Sequence, residues 1–431
     1  MPSLQSPRGT RDLLPDDQVI WNSVKAFAAQ TAIQMGYRQI TTPTYEEVSL
    51  FQRSLGEETD VINKELFLVH GKNETDTHYA LRPEGTAGIV RAFIEHGMHL
   101  WPQPVKFASY INCFRYERPQ KGRYREHSQF DLEYFGDKEP FADAWLIYTT
   151  WTFLNRLGLT KLELRLNSLG TLEDRSIYIQ KLKEYYTPLK DKLSPDSVRR
   201  LENNPLRLLD TKDANDQALR VQAPKLSEYL SDESNQRFSE VQEYLKKWKV
   251  PFVIDPFLVR GFDYYCHTAF EWTVQNKEGQ QDSLGGGGRY DGLVTQLGGP
   301  DVGAVGAGMG LDRIVEEVIA QGKTTTMIAI KPQAYLIAAD EAGKAAAPAI
   351  LEQLIESGII LDTNLSKINL GNQLKQASKL GAQFAIIFGQ NEIEEKMVMV
   401  KNLITGEQEK ISIDSLVEYL QSRVSTACPS L

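Results

Sequence analysis

The sequence predicts an α+β fold with a β-rich first domain, and three observations support this prediction. Two β-branched and aromatic runs, at 105–113 and 127–135, flank a charged turn and predict an antiparallel hairpin. Between residue 172 and about residue 249, leucines and tyrosines recur at helical spacing, which predicts a helical insertion. From residue 332 onward, predicted strands and helices alternate, which indicates a separate α/β domain.

The hairpin carries an informative set of charges. Strand alternation places Arg115 on the apolar face of the first strand, and it places Gln129, Asp131 and Glu133 on one face of the second. We therefore expect Arg115 to lie near Gln129 and Glu133. Cationic forks in such a loop suit phosphate oxygens, although a solvated charged hairpin is the alternative for this stretch alone. The turn contains Pro119, Gly122 and the cations Arg118, Lys121, Arg123 and Arg125.

The remaining elements follow from periodicity and from breaker residues. An amphipathic helix is predicted over 18–35, and Pro43 limits the following strand, at 37–46, to an edge or an interface. The period changes near Glu84, which places Glu84 and Thr86 at a strand end. Later patterns predict a helix at 142–158, a strand at 161–170, a helix start at 194–197, renewed β-structure at 251–275 and a helix from about Leu311.

Composition predicts a reduced, cytoplasmic globular protein. Hydrophobic residues make up 41% and charged residues 24% of the 431 residues, no apolar run reaches membrane-spanning length, and residues 1–12 lack the apolar core of a signal peptide. Cys113, Cys266 and Cys428 are isolated, so neither a disulfide framework nor a metal site is expected. The net charge of −9 argues against indiscriminate nucleic-acid binding but leaves room for a partner at a local basic patch.

The charged residues favour one class of chemistry. Several arginines fall at predicted strand ends, whereas no nucleophile triad or metal-ligand spacing can be inferred from the histidines and cysteines. That combination suits phosphoryl or nucleotidyl transfer, in which positioning and charge neutralisation provide most of the catalysis.

Several long motifs, in the same order, resemble class II aminoacyl-tRNA synthetases. FRYE at 114–117, with the following RPQKGRYREHSQFDLE, is similar to motif 2 of that class, and GAGMGLDRI at 306–314 is similar to motif 3. The first helix with TTPTYE at 41–46 resembles motif 1. Within the class, five further segments resemble the histidyl-tRNA synthetase family. They are LVRGFDYY at 258–265, GGGRYDGL at 286–293, RGTRDLLP at 8–15, LRPEGTAG at 81–88 and NNPLRLLDTKD at 203–213.

The resemblance covers nearly the whole chain and implies an architecture. The antiparallel-sheet catalytic domain of class II would occupy 1–325, with the helical insertion at about 172–249. A linker at 326–331 would lead to an anticodon-binding domain at 332–431. A homodimer is also implied, because motif 1 lies at a two-fold interface in this class.

The resemblance further implies how the nucleotide is held. Arg115 would bind the α-phosphate of ATP, Glu117 the adenine amino group, and Arg123 with Arg313 the distal phosphates. His127 stands where the family usually has an aromatic residue stacked on adenine. ATP is expected with Mg²⁺ as a substrate complex, and neither a tightly bound cofactor nor a protein metal site is expected.

For the amino acid, the resemblance implies a second set of contacts. Arg260 would lie between the histidine carboxylate and the α-phosphate, where related synthetases use a divalent ion. Glu84, Thr86 and Gln129 would fix the α-amino group. The histidine site would be completed by Glu133, Tyr264, Tyr265 and Tyr290. The catalytic roles would fall to Arg115, Arg260 and Gln129.

The implied activity is the ATP-dependent ligation of L-histidine to histidine tRNA. It would proceed through histidyl-adenylate and then transfer to the terminal 3′-hydroxyl of the tRNA, with release of pyrophosphate and AMP. The expected partners are L-histidine, ATP, histidine tRNA and a second copy of the chain, with no membrane.

Three alternatives are weighed against this interpretation. The first is the catalytically inactive paralogue that regulates ATP phosphoribosyltransferase, which characteristically lacks the C-terminal domain and has degraded site motifs. The second is a class II synthetase for another amino acid, and the third is an accessory RNA-binding protein. Arg115, Arg260 and Arg313 argue against the first, and the stretch at 258–265 argues against the second. Cys266 and His267 depart from the usual pair of the family, with little effect expected on the chemistry.

Overall fold

The computed structural model describes residues 4–56, 59, 61–71, 78–118, 122–211, 213–275, 282–326, 331–366 and 369–424. Contacts divide the chain into two units, residues 1–326 and 327–431. Pro119, Lys121, Cys428 and most of the predicted linker lie outside the described residues. No described helix is long and apolar enough to cross a membrane.

The first unit is built on an eight-stranded sheet with the order β1-β5-β6-β11-β10-β9-β7-β8. Its two edge pairs, β1–β5 and β7–β8, are parallel, and the other pairs are antiparallel. A separate three-stranded sheet has the order β2-β4-β3. The strands are β1 (Arg38–Gln39), β2 (Tyr45–Glu47), β3 (Leu68–Val69), β4 (Tyr79–Leu81), β5 (Val105–Phe114), β6 (Glu126–Phe135), β7 (Leu162–Ser168), β8 (Val253–Ile254), β9 (Cys266–Val274), β10 (Ser283–Arg289) and β11 (Ala304–Gly310).

Helices pack against the sheet, and several of them are inserted in the chain between β7 and β8, which pair with each other. The core joins strand residues such as Phe135 to helix residues such as Phe93, whose rings stack with centroids 4.5 Å apart. The helices are α1 (Pro15–Gln34), α2 (Val48–Leu55), α3 (Thr86–Glu95), α4 (Pro140–Arg156), α5 (Leu172–Tyr186), α6 (Pro195–Asn203), α7 (Ala214–Arg220), α8 (Asp232–Lys247), α9 (Gly292–Gln296) and α10 (Leu311–Ala320). The mixed architecture with a large antiparallel sheet confirms the predicted α+β class.

The hairpin of β5 and β6 forms as predicted, but one expectation about it is wrong. The register pairs Ile111 with Gln129 and Phe107 with Glu133. Arg115 lies beyond the end of β5, where its backbone N–H donates to Arg125 at 2.9 Å. Arg115 is therefore opposite Arg125, and Glu133 lies toward the other end of the hairpin. The long charged turn moves the register away from the one we expected.

Two other predicted strands are interrupted. The stretch 37–46 forms β1 and the start of β2, which belong to different sheets, with Pro43 between them. Both are edge strands, as the proline predicts. The stretch 251–275 forms only β8 and β9, and residues 255–265 between them are irregular. This irregular stretch, called the arginine loop below, carries Arg260.

The segment of residues 172–247 is helical, as the spacing of its leucines and tyrosines predicts. Each of its longer helices begins at a residue whose side chain accepts from the first-turn backbone. Ser194 caps α6 in this way by accepting from Ser197 N–H at 3.3 Å, so the predicted helix start at 194–197 is confirmed. Tyr178 and Tyr186 of α5 are buried in the same core cluster as Phe135 and Tyr290, so this helical segment packs onto the sheet domain.

The second unit is a five-stranded sheet with the order β13-β12-β14-β15-β16. Its first three strands are parallel, and β14, β15 and β16 pair antiparallel. The predicted alternation up to β14 is confirmed, whereas β15 and β16 were not predicted. Its elements are β12 (Ala334–Ala338), α11 (Glu341–Glu356), β13 (Leu361–Thr363), α12 (Leu370–Leu380), β14 (Phe384–Phe388), α13 (Gln390–Glu394), β15 (Met397–Asn402), β16 (Gln408–Ser412) and α14 (Leu416–Gln421).

Candidate active site

A cavity of about 990 Å³ lies within the first unit. Strands β6, β10 and β11, the first turns of α3 and α10, the arginine loop and the helical segment all contribute to its lining. The predicted site residues that line it are Glu84, Thr86, Arg115, Glu117, Arg123, His127, Gln129, Arg260, Tyr264, Tyr265 and Arg313. Of the described residues, the predicted pair Glu133 and Tyr290 lies behind this lining, with exposures of 0% and 1%.

Guanidinium groups surround one end of the cavity. Arg115 is fixed by donating from Nε to the Pro83 carbonyl at 2.9 Å. Glu117 lies between two of these cations, because it forms an ion pair with Arg123 and its Oε1 is 4.0 Å from Arg115 Nη1. On the facing helix, Arg313 donates from Nε to the Gly122 carbonyl at 3.0 Å. This end can therefore bind several phosphate oxygens at once.

His127 lies at the same end, in the row of β6 side chains that face the cavity. Burial, followed by the charges of Arg115, Arg313 and Arg123, lowers the pKa of His127 to about 3. Its imidazole is therefore neutral near pH 7. A neutral ring beside three cations can stack on an aromatic base without adding a further positive charge.

An N-terminal segment holds the base of the charged turn. Arg11 forms an ion pair with Asp312 at 2.7 Å, and its guanidinium lies 4.2 Å from the ring centroid of Tyr124. Asp312 also accepts from Ser128 N–H at 2.7 Å, and the Gly9 carbonyl accepts from Arg125 N–H at 2.7 Å. Residues 9–11 thus fasten β6 to α10. In the sequence this segment is marked only by its resemblance to the family, which indicates no role for it.

Three carboxyl groups lie at the opposite end, two of them in the lining of the cavity and one behind it. Glu84, Asp131 and Glu133 are 4%, 3% and 0% exposed. Burial raises the pKa of each one. Asp131 had been placed on this face by strand alternation but had been given no role. Because buried carboxyl groups favour cationic partners, this end suits an ammonium or an imidazole group.

Glycines make room for these carboxyl groups. A Cβ on Gly306 of β11 would lie 1.7 Å from Glu133 Oε2, and a Cβ on Gly85 would lie 2.1 Å from Asp131 Oδ2. Any side chain at either position would displace a carboxylate. The glycine-rich β11 therefore serves the site by leaving space beside β6.

Glu133 is held by two hydroxyl groups. Thr86 donates from Oγ1 to Glu133 Oε1 at 2.6 Å, and the Tyr290 hydroxyl donates to Glu133 Oε2. Tyr290 follows Arg289, which is fully buried and paired with Asp143 at 3.0 Å. This buried ion pair anchors the residue next to Tyr290.

Arg260 lies between the phosphate-binding end and the carboxyl end. It donates from Nη1 to Glu271 at 3.3 Å, and its guanidinium carbon is 5.7 Å from the Tyr265 ring centroid. Glu271 also accepts from Ser283 at 2.9 Å, so the acceptor is itself fixed. Arg260 can therefore face a group that lies between the two ends.

The helical segment supports the arginine loop. Asn204 donates to Asp263 Oδ1 at 3.0 Å, and Arg207 donates to the Gly261 carbonyl. Arg175 of α5 donates to the Asp263 carbonyl at 3.2 Å and to the Tyr265 carbonyl. The loop has no regular structure of its own, so these side chains supply partners for its backbone. The sequence does not predict these contacts, because the residues that make them are far apart along the chain.

Family models match almost the whole chain. The histidyl-tRNA synthetase model matches residues 9–314, and the anticodon binding domain model matches residues 333–423. The chain belongs to the histidyl-tRNA synthetase family.

Other histidyl-tRNA synthetases match this chain, and the following three are covered along their full length. The histidine–tRNA ligase of Synechococcus sp. (strain JA-3-3Ab) is 41% identical, over 98% of this chain and 100% of that protein. The histidine–tRNA ligase of Dehalococcoides mccartyi (strain CBDB1) is 39% identical, over 97% of this chain and 100% of that protein. The crystal structure of apo histidyl-tRNA synthetase from S. aureus matches with a TM-score of 0.80 and 32% identity, covering 97% of this chain and 100% of that one. The predicted family and fold are thus confirmed.

Proposed function

We propose that this protein ligates L-histidine to histidine tRNA at the expense of ATP. Family membership over the whole chain is the observation that carries this proposal. The cavity supports it, because a cluster of guanidinium groups and a cluster of buried carboxyl groups lie at its two ends. ATP, with Mg²⁺ as its substrate complex, would occupy the first end and histidine the second.

In the first step, the histidine carboxylate attacks the α-phosphorus of ATP and pyrophosphate leaves. Negative charge builds on the α-phosphate, where Arg115 and Arg260 would stabilise it as fixed donors that need no rearrangement. Arg123 and Arg313 would hold the distal phosphates, Glu117 the adenine amino group, and His127 the adenine face. Holding carboxylate and phosphorus in attack geometry supplies much of the remaining acceleration.

The imidazole would be recognised by polar groups at the carboxyl end. Glu133 would accept from one ring nitrogen, and Tyr265 and Tyr290 would bound the ring. Because Glu133 and Tyr290 lie behind Thr86 in this structure, the ring would have to displace the Tyr290–Glu133 hydrogen bond to reach the carboxylate. An apolar amino acid of similar shape would leave these buried groups unpaired and would be rejected.

In the second step, the terminal ribose hydroxyl of the tRNA attacks the carbonyl of the adenylate, and AMP leaves. The C-terminal unit would contact the anticodon, and the helical segment would contact the acceptor arm. The local basic turn rather than the net charge of −9 would face the nucleic acid.

We further propose that the protein is a cytoplasmic homodimer. The small β2-β4-β3 sheet, which includes part of the motif 1 resemblance, exposes Tyr45, Leu68 and Tyr79 by 54%, 50% and 42%. Such a group of exposed apolar side chains suits an interface. Sedimentation as a monomer at micromolar concentration would contradict the dimer.

ATP–pyrophosphate exchange with each of the twenty amino acids tests the proposed function. Exchange with histidine alone is the expected result. Exchange with a different amino acid would indicate another synthetase. If well-folded protein gave no exchange with any amino acid, the regulatory paralogue of ATP phosphoribosyltransferase would become the better interpretation.

A further inference from the structure

The groups that the resemblance assigns to the α-amino group of histidine already have partners within the protein. The Glu84 carboxylate accepts from the backbone N–H of Thr86 and of Ala87, each at 2.8 Å. Gln129 Oε1 accepts from the Cys113 thiol at 2.9 Å. The Thr86 hydroxyl donates to Glu133 at 2.6 Å. These contacts use part of the acceptor capacity of Glu84 and Gln129, and an ammonium group with three donors needs several acceptors around it.

Asp131 is different from these residues. It lies on β6 between Gln129 and Glu133, lines the cavity, and is 3% exposed. Among the described residues, its Oδ2 has no hydrogen-bond partner. A buried carboxylate without a partner is costly unless a cation or a donor pairs with it.

The nearby cations do not provide that partner. Arg82 donates from Nε to the Asn112 carbonyl at 2.8 Å and from Nη1 to the Thr42 carbonyl at 2.9 Å. Arg115 donates from Nε to the Pro83 carbonyl at 2.9 Å. Burial and the negative charge of Glu84 raise the pKa of Asp131, and they outweigh the two guanidinium charges, which lower it. Among the described residues no donor bonds to Asp131 Oδ2, so a cation that enters the cavity could pair with it.

Two glycines lie directly against the carboxyl group of Asp131. A Cβ on Gly85 would lie 2.1 Å from Asp131 Oδ2, and a Cβ on Gly308 would lie 3.1 Å from Asp131 Oδ1. Gly85, which precedes α3, and Gly308 of β11 therefore let the carboxyl group lie against the backbone at the cavity wall. An ammonium group that entered here would lie between Asp131 and Glu84, with Gln129 adjacent on β6.

We propose that Asp131 is a substrate-binding residue that pairs with the α-ammonium group of histidine. This inference rests on the proposed function, because it assigns a further residue to that same amino-acid site. Asp131 would supply the charged acceptor, and Glu84, already bonded to two backbone N–H groups, would add a second negative charge. The two together would distinguish an amino acid from an analogue that lacks the ammonium.

Two analogues that each lack one charged group test the proposal. L-Histidinol keeps the ammonium and lacks the carboxylate, whereas 3-(imidazol-4-yl)propionate keeps the carboxylate and lacks the ammonium. Binding of both to full-length protein would be measured by titration calorimetry, for the wild type and for Asp131→Asn. We expect Asp131→Asn to weaken histidinol binding by about 10- to 100-fold, because a charge-assisted hydrogen bond is lost. Binding of the propionate should change by less than about twofold, because no ammonium is present.

Thermal unfolding supplies the second measurement. Asparagine has the shape of the protonated aspartic acid and avoids burying a charge, so Asp131→Asn should unfold at the same or a higher temperature than the wild type. Weaker histidinol binding together with unchanged or increased stability is expected of a ligand-binding residue. A residue that only supported the fold would lose stability and would affect both analogues alike.

Ser109 provides the matched control. It is the cross-strand neighbour of Asp131 in β5, it is fully buried, and among the described residues its hydroxyl also has no hydrogen-bond partner. If Asp131 served only as the neighbour of this buried hydroxyl, Ser109→Ala would change the ratio of histidinol affinity to propionate affinity as Asp131→Asn does. We expect Ser109→Ala to leave that ratio unchanged.

The outcomes separate the two proposals. A wild type that exchanges pyrophosphate with histidine, combined with an Asp131→Asn variant that binds both analogues normally, overturns the role of Asp131 alone. Equal weakening of both analogues also overturns it. A wild type that binds neither analogue and exchanges with no amino acid overturns the proposed function and this inference together.

Discussion

Single residues of the site act mainly through fixed charge. Arg260 illustrates this, because it is held by Glu271 and faces the gap between the phosphate-binding and carboxyl ends of the cavity. Its acceptor Glu271 is bonded to Ser283 as well, so the guanidinium is positioned before any substrate binds. Preorganised charge of this kind stabilises a transition state without a proton transfer.

We expect Arg260→Ala to lower the rate of histidine-dependent pyrophosphate exchange by about 10²- to 10³-fold, because a fixed donor to the developing charge is removed. Folding should survive, since Glu271 keeps its bond to Ser283. Pyrophosphate-exchange assays would measure the rate, and thermal unfolding would measure the stability of the variant. The control is Arg199→Ala, which removes an exposed arginine that pairs only weakly with Asp196, at 3.4 Å. Near-normal exchange by Arg260→Ala would show that its proposed role is wrong.

His127 should make the stability of the protein depend on pH. The pKa of His127 is lowered to about 3 in the folded protein, whereas an unfolded chain has an ordinary imidazole. Between these two values the unfolded state binds more protons, so stability falls as pH falls below about 6.5. His127→Phe removes this contribution. Between neutral pH and about pH 5, the free energy of unfolding of the wild type should therefore fall by about 1–2 kcal/mol more than that of the variant.

Urea unfolding of both proteins at the two pH values would measure the difference. Glu84, Asp131 and Glu133, whose pKa values are raised, shift stability in the opposite direction, but they do so equally in both proteins. An identical loss of stability in the variant and the wild type would show that His127 is protonated at little cost.

The sequence predicts the identity of most site residues better than their partners. Arginines at strand ends indicated a phosphate site, and alternation placed Asp131 and Glu133 on one face of β6. The pairing of Arg11 with Asp312 could not be predicted, because no local pattern relates residues 301 positions apart. The neutral state of His127 likewise depends on burial and on three arginines that only the fold brings together.

At the scale of elements, regular periodicity was predictive and irregular stretches were not. α1, α4 and the helical segment follow apolar spacing, which the local sequence determines. The arginine loop, residues 255–265, instead contains β-forming residues, yet it pairs with no strand in the described part of the chain. Its conformation is set by Asn204, Arg207 and Arg175 of the helical segment, so tertiary contacts override its local preference.

We expect the Asn204–Asp263 hydrogen bond to affect histidine use from outside the cavity. Asn204→Asp places two carboxylates together and should lower kcat/KM for histidine in pyrophosphate exchange by about tenfold, while KM for ATP changes by less than about twofold. Combining it with Asp263→Asn restores a donor and an acceptor with their positions exchanged, so exchange should return to within about threefold of the wild type. Kinetics for the two single variants and the double variant would test this coupling.

The matched control is again Arg199→Ala, on the same helix but facing Asp196 rather than the loop. Failure of the double variant to recover, while each single variant is impaired, would show that the two residues act independently. The helical segment would then have no part in holding the arginine loop through this bond.

At the scale of the whole molecule, the chain consists of two units with separate cores. The second unit has its own buried cluster around β12 and β14, formed by residues such as Leu336, Leu354 and Ile386. All of the described residues that line the cavity belong to the first unit. Adenylation and tRNA recognition should therefore be separable.

A protein of residues 1–326 should keep histidine-dependent pyrophosphate exchange within several-fold of the full chain, because its site residues are all present. Charging of histidine tRNA should fall by about 100-fold, since one of two linked RNA contacts is lost. Exchange assays and aminoacylation assays on the same preparation would measure both. Full charging by the truncated protein would exclude a role for the C-terminal unit in tRNA binding.

The clamp between Arg11 and Asp312 has a consequence for protein synthesis. These residues are 301 positions apart, so the ribosome must make nearly the entire first unit before the clamp can close. At about 5–20 residues per second, roughly 15–60 s pass between translation of the Arg11 codon and translation of the Asp312 codon. Until α10 is made, the hairpin lacks the contacts that the Gly122 carbonyl and the Ser128 N–H form with that helix in the folded protein. A nascent chain can thus fold its hairpin early, yet it completes the nucleotide end of the site only when translation has passed the last strand of the sheet.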